Sequence, residues 1–212
     1  MNSRSIVKWY FTRKYREEDP YRIARNTCDT RYSDMLRMLA PMHFGKALDI
    51  GCGEGMLSEM LLSVCGHVDG MDISEAAVDR ARNKFRNRSH LRFLAADILK
   101  SELMEKYDLI VCAEVLYYLT RNQLRTVLQK ISSGLNARGY LLIGNIKRIQ
   151  SSSGFFRSHI GAVEINGMIR EIGNYEVVKE EDRGGDILLL VRRRETACDP
   201  RSVGISFGSM LQ

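Results

Sequence analysis

The stretch Ala47-Leu48-Asp49-Ile50-Gly51-Cys52-Gly53-Glu54-Gly55 restricts the fold of this chain more than any other. An apolar run leads into a turn where three glycines alternate with other residues, which reads as a buried strand entering a tight turn. Glycines at 51, 53 and 55 tolerate positive φ and let the backbone approach a small molecule that a Cβ would obstruct. Helical periodicity resumes with Leu57, Met60, Leu61 and Val64, so the turn lies between a strand and a helix N-terminus, as in a nucleotide-binding βα unit.

Spacing and charge separate the ligands that such a turn could take. A dinucleotide fingerprint needs a glycine where this chain has Met56, and Glu54 would repel a pyrophosphate. A phosphate-cradling loop needs a Gly-Lys-Ser/Thr ending, and none follows. A cationic ligand with no phosphate at the turn remains. Asp49 and Glu54 put negative charge there, and S-adenosylmethionine carries a sulfonium and an ammonium. A tight glycine turn with no ligand is the alternative that this motif alone leaves open.

A chain of 212 residues suits a single α/β domain that buries roughly 70% of its unfolded surface. The net charge of +6 does not by itself argue for nucleic acid, because basic residues are interleaved with 26 acids and no basic run exceeds Arg192-Arg193-Arg194. Cys28, Cys52, Cys65, Cys112 and Cys198 are odd in number and lack Cys-x-x-Cys spacing, so they read as reduced thiols. His43, His67, His90 and His159 form no ligand spacing with them, and no metal is expected. No apolar run approaches the ~18–20 residues of a membrane span and no signal-peptide core opens the chain, so the cytoplasm is the expected location. Residues 1 to 16 are basic and acid-free in the manner of a transit peptide, but Glu17-Glu18-Asp19 ends that trend.

Taken in order, Met1 to Pro20 holds Trp9, Tyr10, Phe11 and Tyr15 among basic residues, and residues 1–40 read as a helical cap over the ligand. Tyr32, Met35, Leu36 and Leu39 keep helical spacing until Pro41 stops them. Arg22 is able to bind a ligand carboxylate bidentately, or to be a solvated surface arginine. Residues 41–193 then alternate strand and helix. A second strand ends at Asp72, 21 residues beyond Gly51, where an acid accepts hydrogen bonds from both hydroxyls of a ribose. Ser74 reads as an N-cap for a helix carrying Ala77, Val78, Ala81 and Phe85. A third strand, Leu91 to Ala95, leads to Asp97 and Ile98, suited to the exocyclic amine and ring of adenine. Turn aspartates are common, so Asp97 alone is weak.

Strand 4 runs from Tyr107 to Cys112 as a nearly continuous apolar stretch, as expected for a central parallel strand, and ends in Ala113-Glu114-Val115-Leu116-Tyr117-Tyr118. Thr120 with Gln123 forms a capping box ahead of the stripe Leu124, Val127, Leu128, Ile131 and Leu135. Tyr140 to Gly144 reads as strand 5. The stretch Asn145 to Ile160, with Ser151-Ser152-Ser153-Gly154 and Phe155-Phe156, lacks periodicity and is a candidate lid or acceptor wall. Ile165, Met168, Ile169 and Ile172 mark a helix stopped at Gly173-Asn174, and Tyr175 to Lys179 with Ile187 to Arg192 read as a hairpin around Gly184-Gly185. Residues 194–212 read as a frayed tail.

Put together, these motifs resemble class I S-adenosylmethionine-dependent methyltransferases over about residues 15 to 193. The resemblance implies a Rossmann-like seven-stranded sheet of order 3-2-1-4-5-7-6, mostly parallel with strand 7 antiparallel and helices on both faces. It places Asp49, Gly51, Gly53, Asp72, Ile73, Asp97, Ile98 and Ala113 at the cofactor. Three further stretches, Asp19-Pro20-Tyr21-Arg22, Ala113 to Leu119 and His159-Ile160-Gly161-Ala162-Val163-Glu164, are similar to the NodS family of nodulation N-methyltransferases, which act on the free amine of a chitooligosaccharide. That resemblance adds Tyr21 and Arg22 to the cofactor residues. Two departures concern the acceptor: the glycine turn is richer in glycine, and the 146–158 loop does not match.

Methyl transfer from a sulfonium is an in-line displacement, so positioning the acceptor, excluding water and freeing its lone pair are the protein's tasks. Glu114 is the expected partner of an acceptor amine, Tyr117 or Tyr118 the orienting group, and His159 an alternative base. Packing of the tyrosines at a helix start, a backbone-bonded His159 and a structural Glu114 are the competing readings. A small-molecule acceptor is expected. A nucleic-acid amino-methyltransferase would carry an Asn/Asp-Pro-Pro-aromatic turn where this chain has Ala113-Glu114-Val115-Leu116. O-methyl transfer, a protein substrate and a non-catalytic cofactor-binding regulator remain as rivals, and the oligomeric state is left open.

Overall fold

The computed structural model describes residues 3–15, 30–147 and 160–195. At its centre lies β1 (Phe44–Ile50), parallel to β2 (Cys65–Asp72) on one side and to β4 (Tyr107–Ala113) on the other. β3 (Leu91–Ala95) extends the sheet beyond β2, and β5 (Leu135–Ile146) extends it beyond β4, both parallel. β6 (Tyr175–Asp182) and β7 (Asp186–Arg193) are joined by a short turn with Gly184 at φ 86°, and such a turn permits only antiparallel pairing. β7 pairs antiparallel with β5 and leaves β6 at the edge, giving the order β3-β2-β1-β4-β5-β7-β6. This is the sheet order that the resemblance to class I methyltransferases implies.

Helices cover both faces because the central strands alternate buried apolar side chains on both sides. On one face α5 (Arg121–Gly134) and α6 (Ala162–Ile172) pack Leu124, Leu128, Ile131, Ile165 and Ile169 against Ile50, Ile110, Cys112 and Ile143. On the other face α2 (Arg31–Leu39) and α3 (Met56–Leu61) pack Met35, Leu39, Leu57 and Leu61 against Ala47, Leu109, Val111 and Leu142. Each fully buried Leu or Ile contributes ~1.5–3 kcal/mol. α4 (Glu75–Lys84) adds a smaller cluster with Cys52 and Phe93.

The local signals act where expected. Ser74 Oγ accepts from Ala77 N at the start of α4, Thr120 and Gln123 form a reciprocal capping box, and α6 ends on Gly173 at φ 74°. Several boundaries differ: β5 runs on to Ile146, so Asn145, expected to open the irregular stretch, lies in a strand paired with Ile187 of β7, and β6 runs on to Asp182. α5 stops at Gly134 and Leu135 begins β5, because Leu135 pairs with Tyr107 while Leu109 pairs with Tyr140, so residues 136–139 bulge out of the ladder with Arg138 at φ 62°. α3 stops at Leu61, since the N–H groups of Leu62, Ser63 and Val64 reach back only three residues, to Glu59, Met60 and Leu61, in tight turns that lead into β2.

A buried acid ties four strands together away from the glycine turn. Asp69 of β2 accepts from Arg92 Nε and Nη2 at 2.9 and 2.8 Å and from the Tyr107 hydroxyl at 3.0 Å, with Lys46 Nζ at 3.2 Å. These partners outweigh burial and hold its carboxyl below the usual range.

α1 (Ser3–Lys14) returns across the carboxyl edge of the sheet. Phe11 is buried there and meets the Tyr118 ring edge-on at 5.0 Å between centroids. Tyr15, one turn on, is buried as well.

Candidate active site

All three glycines of the turn take the left-handed conformation, with φ 79° at Gly51, 53° at Gly53 and 79° at Gly55. What a Cβ would strike is the protein itself. At Gly51 it would lie 2.0 Å from Val115 Cγ2, at Gly53 2.6 Å from the Tyr15 hydroxyl, and at Gly55 2.6 Å from Phe93 Cζ. The close approach expected for a ligand is therefore made here by side chains from the end of β4, from α1 and from β3. Any alanine in the turn meets both strain and collision.

Asp49 lies behind this turn. It is only 1% exposed and its Oδ2 accepts from Ser58 Oγ at 2.6 Å in α3. Burial, reinforced by the charge of Asp72 and opposed by Ser58, pushes its carboxyl up to about 7. The fold thus favours the protonated acid, and the stability this confers is complete below the unfolded value near 3.8 and is lost as pH rises through 7. Asp49→Asn, which keeps an oxygen for Ser58, should stabilise the ligand-free protein more at pH 8 than at pH 5, by about 2–3 kcal/mol in denaturant unfolding. An equal change at both pH values would refute this account.

Asp72 closes the end of β2 onto the turn. Its Oδ2 accepts from Gly53 N at 3.0 Å and its Oδ1 from Ser74 N at 2.8 Å. Burial raises its pKa, against the opposing N–H groups of Ser74, Gly53 and Ile73. Each carboxylate oxygen has a second lone pair beyond these bonds. Asp97 follows β3, with its Oδ1 accepting from Leu99 N at 3.0 Å, and Ile98 beside it is buried in the core.

Ala113 ends β4, and Glu114 then leaves the strand with φ 57°, its N–H donating to the Gly144 carbonyl of β5 at 2.7 Å. That conformation is uncommon for a residue with a side chain and is held by the flanking strands. It takes the carboxylate to Arg31 Nη1 at 3.5 Å, whose Nε is 3.3 Å from Asp186 Oδ2. Glu114 Oε1 is buried without a hydrogen bond. Burial raises the Glu114 pKa, while Arg31 and a hydrogen bond from Tyr117 lower it. The Tyr117 and Tyr118 hydroxyls lie 3.3 Å apart on a single 3-10 turn, Leu116–Tyr118, with ring centroids 4.4 Å apart. Burial raises the pKa of both phenols, so they are neutral groups that hydrogen-bond rather than bases.

The fold therefore brings Asp49, Gly51, Gly53, Asp72, Ile73, Asp97, Ile98, Ala113, Glu114 and Tyr118 to one edge of the sheet. Tyr21, Arg22 and His159 lie outside the described residues, as do the 148–159 segment and residues 196–212. Sequence reasoning missed Arg31, Val115, Asp186 and Asn145. None of them stands in a motif or spacing that marks it in the sequence. Among the described residues no group of three or more His, Cys, Asp or Glu is placed to hold a metal ion, and no helix is long and apolar enough to cross a membrane.

A glycine turn after the central strand, an acid at the end of the next one and the 3-2-1-4-5-7-6 sheet define the fold of class I S-adenosylmethionine-dependent methyltransferases. Within that class, the model of the Nodulation protein S (NodS) family matches residues 3–166, and the chain belongs to this family. It is 33% identical over 136 residues to Nodulation protein S of Sinorhizobium fredii, 63% of each chain. It is also 28% identical over 143 residues to a malonyl-acyl-carrier-protein O-methyltransferase of Acetivibrio thermocellus, covering 66% of this chain and 49% of that one. The chain thus spans about half to three-fifths of the length of these curated relatives. The fold matches that of N-methyltransferase NodS from Bradyrhizobium japonicum WM9 in complex with S-adenosyl-L-homocysteine with a TM-score of 0.79 and 28% identity, over 89% of this chain and 98% of that one.

Proposed function

We propose that this chain transfers a methyl group from S-adenosylmethionine to a small-molecule amine, an N-methylation like that for which NodS is named, with amino sugars as the leading acceptor class. The observation that carries this reading is Glu114, a carboxylate just past β4 whose buried Oε1 has Arg31 Nη1 at 3.5 Å but no hydrogen bond, at the same sheet edge as the glycine turn held by Asp72. Those acids suit a cationic ligand and oppose a phosphate.

S-Adenosylmethionine, when bound, supplies a methyl group on a positively charged sulfur. In the proposed site Asp72 accepts from the ribose hydroxyls with the Ile73 backbone alongside, Asp97 and Ile98 hold the adenine, and Gly51, Gly53 and Ala113 line the sulfur-bearing chain. Asp49, which the ligand-free fold favours as the protonated acid, loses its proton to solvent as the cation binds and then attracts the cation from behind the turn. Tyr21 and Arg22 take the carboxylate. Glu114 holds the acceptor amine and takes its proton, leaving the nitrogen lone pair free, and Tyr118 orients the acceptor. His159 is the second candidate base, and loss of the acid limb of the pH–rate profile in a His159 variant but not in a Glu114 variant would transfer the role to it. Of residues 1–40, expected as a cap, α1 and Tyr15 serve that role, a reading supported by Phe11 on Tyr118 and Tyr15 over Gly53, whereas α2 packs on the sheet and belongs with residues 41–193 to the core. The cytoplasm suits the free thiols Cys52, Cys65 and Cys112.

Methyl-labelled S-adenosylmethionine offered with amino sugars, small amines and hydroxylated acceptors, followed by product mass spectrometry, tests the reading. Label on nitrogen is the expected result. Label on oxygen alone would replace N- by O-methylation, the activity for which the Acetivibrio relative is named. Cofactor binding with no product from any acceptor would leave a non-catalytic regulator.

A further inference from the structure

We infer that Asn145 determines acceptor specificity, and that it selects an amine with an oxygen function on the neighbouring carbon. The inference rests on the methyl-transfer reading above, since it concerns the group beside Glu114. Asn145 is fully buried at 0% exposure, and neither its Oδ1 nor its Nδ2 has a hydrogen-bond partner among the described residues. A buried amide left unmatched is uncommon, and a residue serving only to fill space there would be apolar.

Its position places this amide at the proposed acceptor end. Alternation along β5 puts Asn145 on the face of Leu141 and Ile143, which share a core cluster with Tyr117 and Ile160, one pleat of ~7 Å nearer the carboxyl edge. The ladder ends where Ala113 pairs with Gly144, so Glu114 and Asn145 are the next residues along the two adjacent chains. The Gly144 carbonyl on one side of it receives Glu114 N–H, and the Ile146 N–H on the other side hydrogen-bonds the Glu114 carboxylate. Two polar groups without a hydrogen bond therefore end adjacent strands: Glu114 Oε1, which faces Arg31 Nη1 at 3.5 Å and keeps lone-pair capacity beside it, and the Asn145 amide.

Their hydrogen-bonding capacities differ. A carboxylate only accepts, whereas an amide both accepts and donates. A simple amine satisfies Glu114 Oε1 and Asn145 Oδ1 and leaves the Nδ2 donor unmatched. An amine with a hydroxyl or carbonyl oxygen on the adjacent carbon matches all three, and a site built to bond such a group strongly rejects the analogue lacking it.

The test compares 2-aminocyclohexanol with cyclohexylamine as acceptors for the full chain. Wild type should prefer the amino alcohol by about 100-fold or more in kcat/KM. Asn145→Leu should reduce that preference to within about threefold, chiefly through KM for the amino alcohol, with S-adenosylhomocysteine affinity in calorimetry unchanged. Asn145→Ser keeps a short donor and should retain part of the preference, and it carries the test if the leucine variant does not fold. No preference in wild type, or one that survives in both variants, overturns the assignment. Turnover and S-adenosylhomocysteine binding in those same samples show that the methyl-transfer reading stands even so, whereas absence of both in wild type sinks the two together.

Discussion

Glu114→Gln should lower kcat by about 100- to 1000-fold while leaving S-adenosylhomocysteine affinity unchanged, the range over which a positioned proton acceptor accelerates transfer. The amide has the same shape and keeps an oxygen for Tyr117, but it cannot take the proton of an ammonium acceptor. The pH dependence follows from burial. Desolvation raises the Glu114 pKa above its ordinary value despite Arg31, so the ionised base should appear only as pH climbs past that raised value. kcat/KM in wild type should therefore rise along an acid limb lying above the usual carboxylate range, and the limb should vanish in the glutamine variant. Stability runs the other way. Because the fold disfavours the ionised form, stability declines as pH rises from the unfolded to the folded pKa, and Glu114→Gln should unfold no earlier than wild type at pH 8. Near-normal turnover in a variant that binds cofactor normally would falsify the proton-acceptor role and leave Glu114 as part of the Arg31–Asp186 ion-pair network.

Asp72→Ala should weaken S-adenosylhomocysteine binding by about 100-fold or more. Two hydrogen bonds from ribose hydroxyls to an ionised carboxylate, at ~1.5–3 kcal/mol each, are sufficient for that loss. A second contribution comes from the turn itself, since Gly53 N and Ser74 N both lose their acceptor and the left-handed glycine conformation loses its tether to β2. The alanine variant should accordingly also unfold more easily, by about 1–3 kcal/mol. Asp72→Asn separates the two effects. One of its terminal atoms becomes a donor, so it keeps an acceptor for only one of the two backbone N–H groups and should fall between alanine and wild type in both measurements. Calorimetry showing wild-type affinity in Asp72→Ala would remove the ribose assignment, and with it the reason for placing adenosine across this edge.

Both predictions concern groups that sequence spacing had already singled out, whereas their partners were invisible to it. Asp72 follows Gly51 by a separation that strand, turn and helix lengths impose, so its place at the neighbouring strand end was readable. Its hold on Gly53 N required the turn to fold back over β2. The caps at Ser74 and Thr120 and the stops at Pro41 and Gly173 were likewise local, each acting within a few residues. The apparent helical stripe through Leu135 misled because periodicity does not record competition from a strand, and pairing with Tyr107 drew Leu135 into β5.

Sequence by itself determined the glycine turn, the alternation of strands and helices, and the set of acids following β1 to β4, since each depends on residue type and short-range spacing. Tertiary structure alone decided that Arg31 and Asp186 converge on Glu114, that Tyr15 and Val115 cover the glycines, and that Asn145 ends beside Glu114 with its amide unmatched. These contacts join positions distant along the chain, and their geometry depends on which strand lies beside which and in what register. β7 inserting between β5 and β6 brings Asp186 level with Ile146 and so within reach of Arg31, a juxtaposition set by backbone hydrogen bonds of the assembled sheet that no local periodicity encodes.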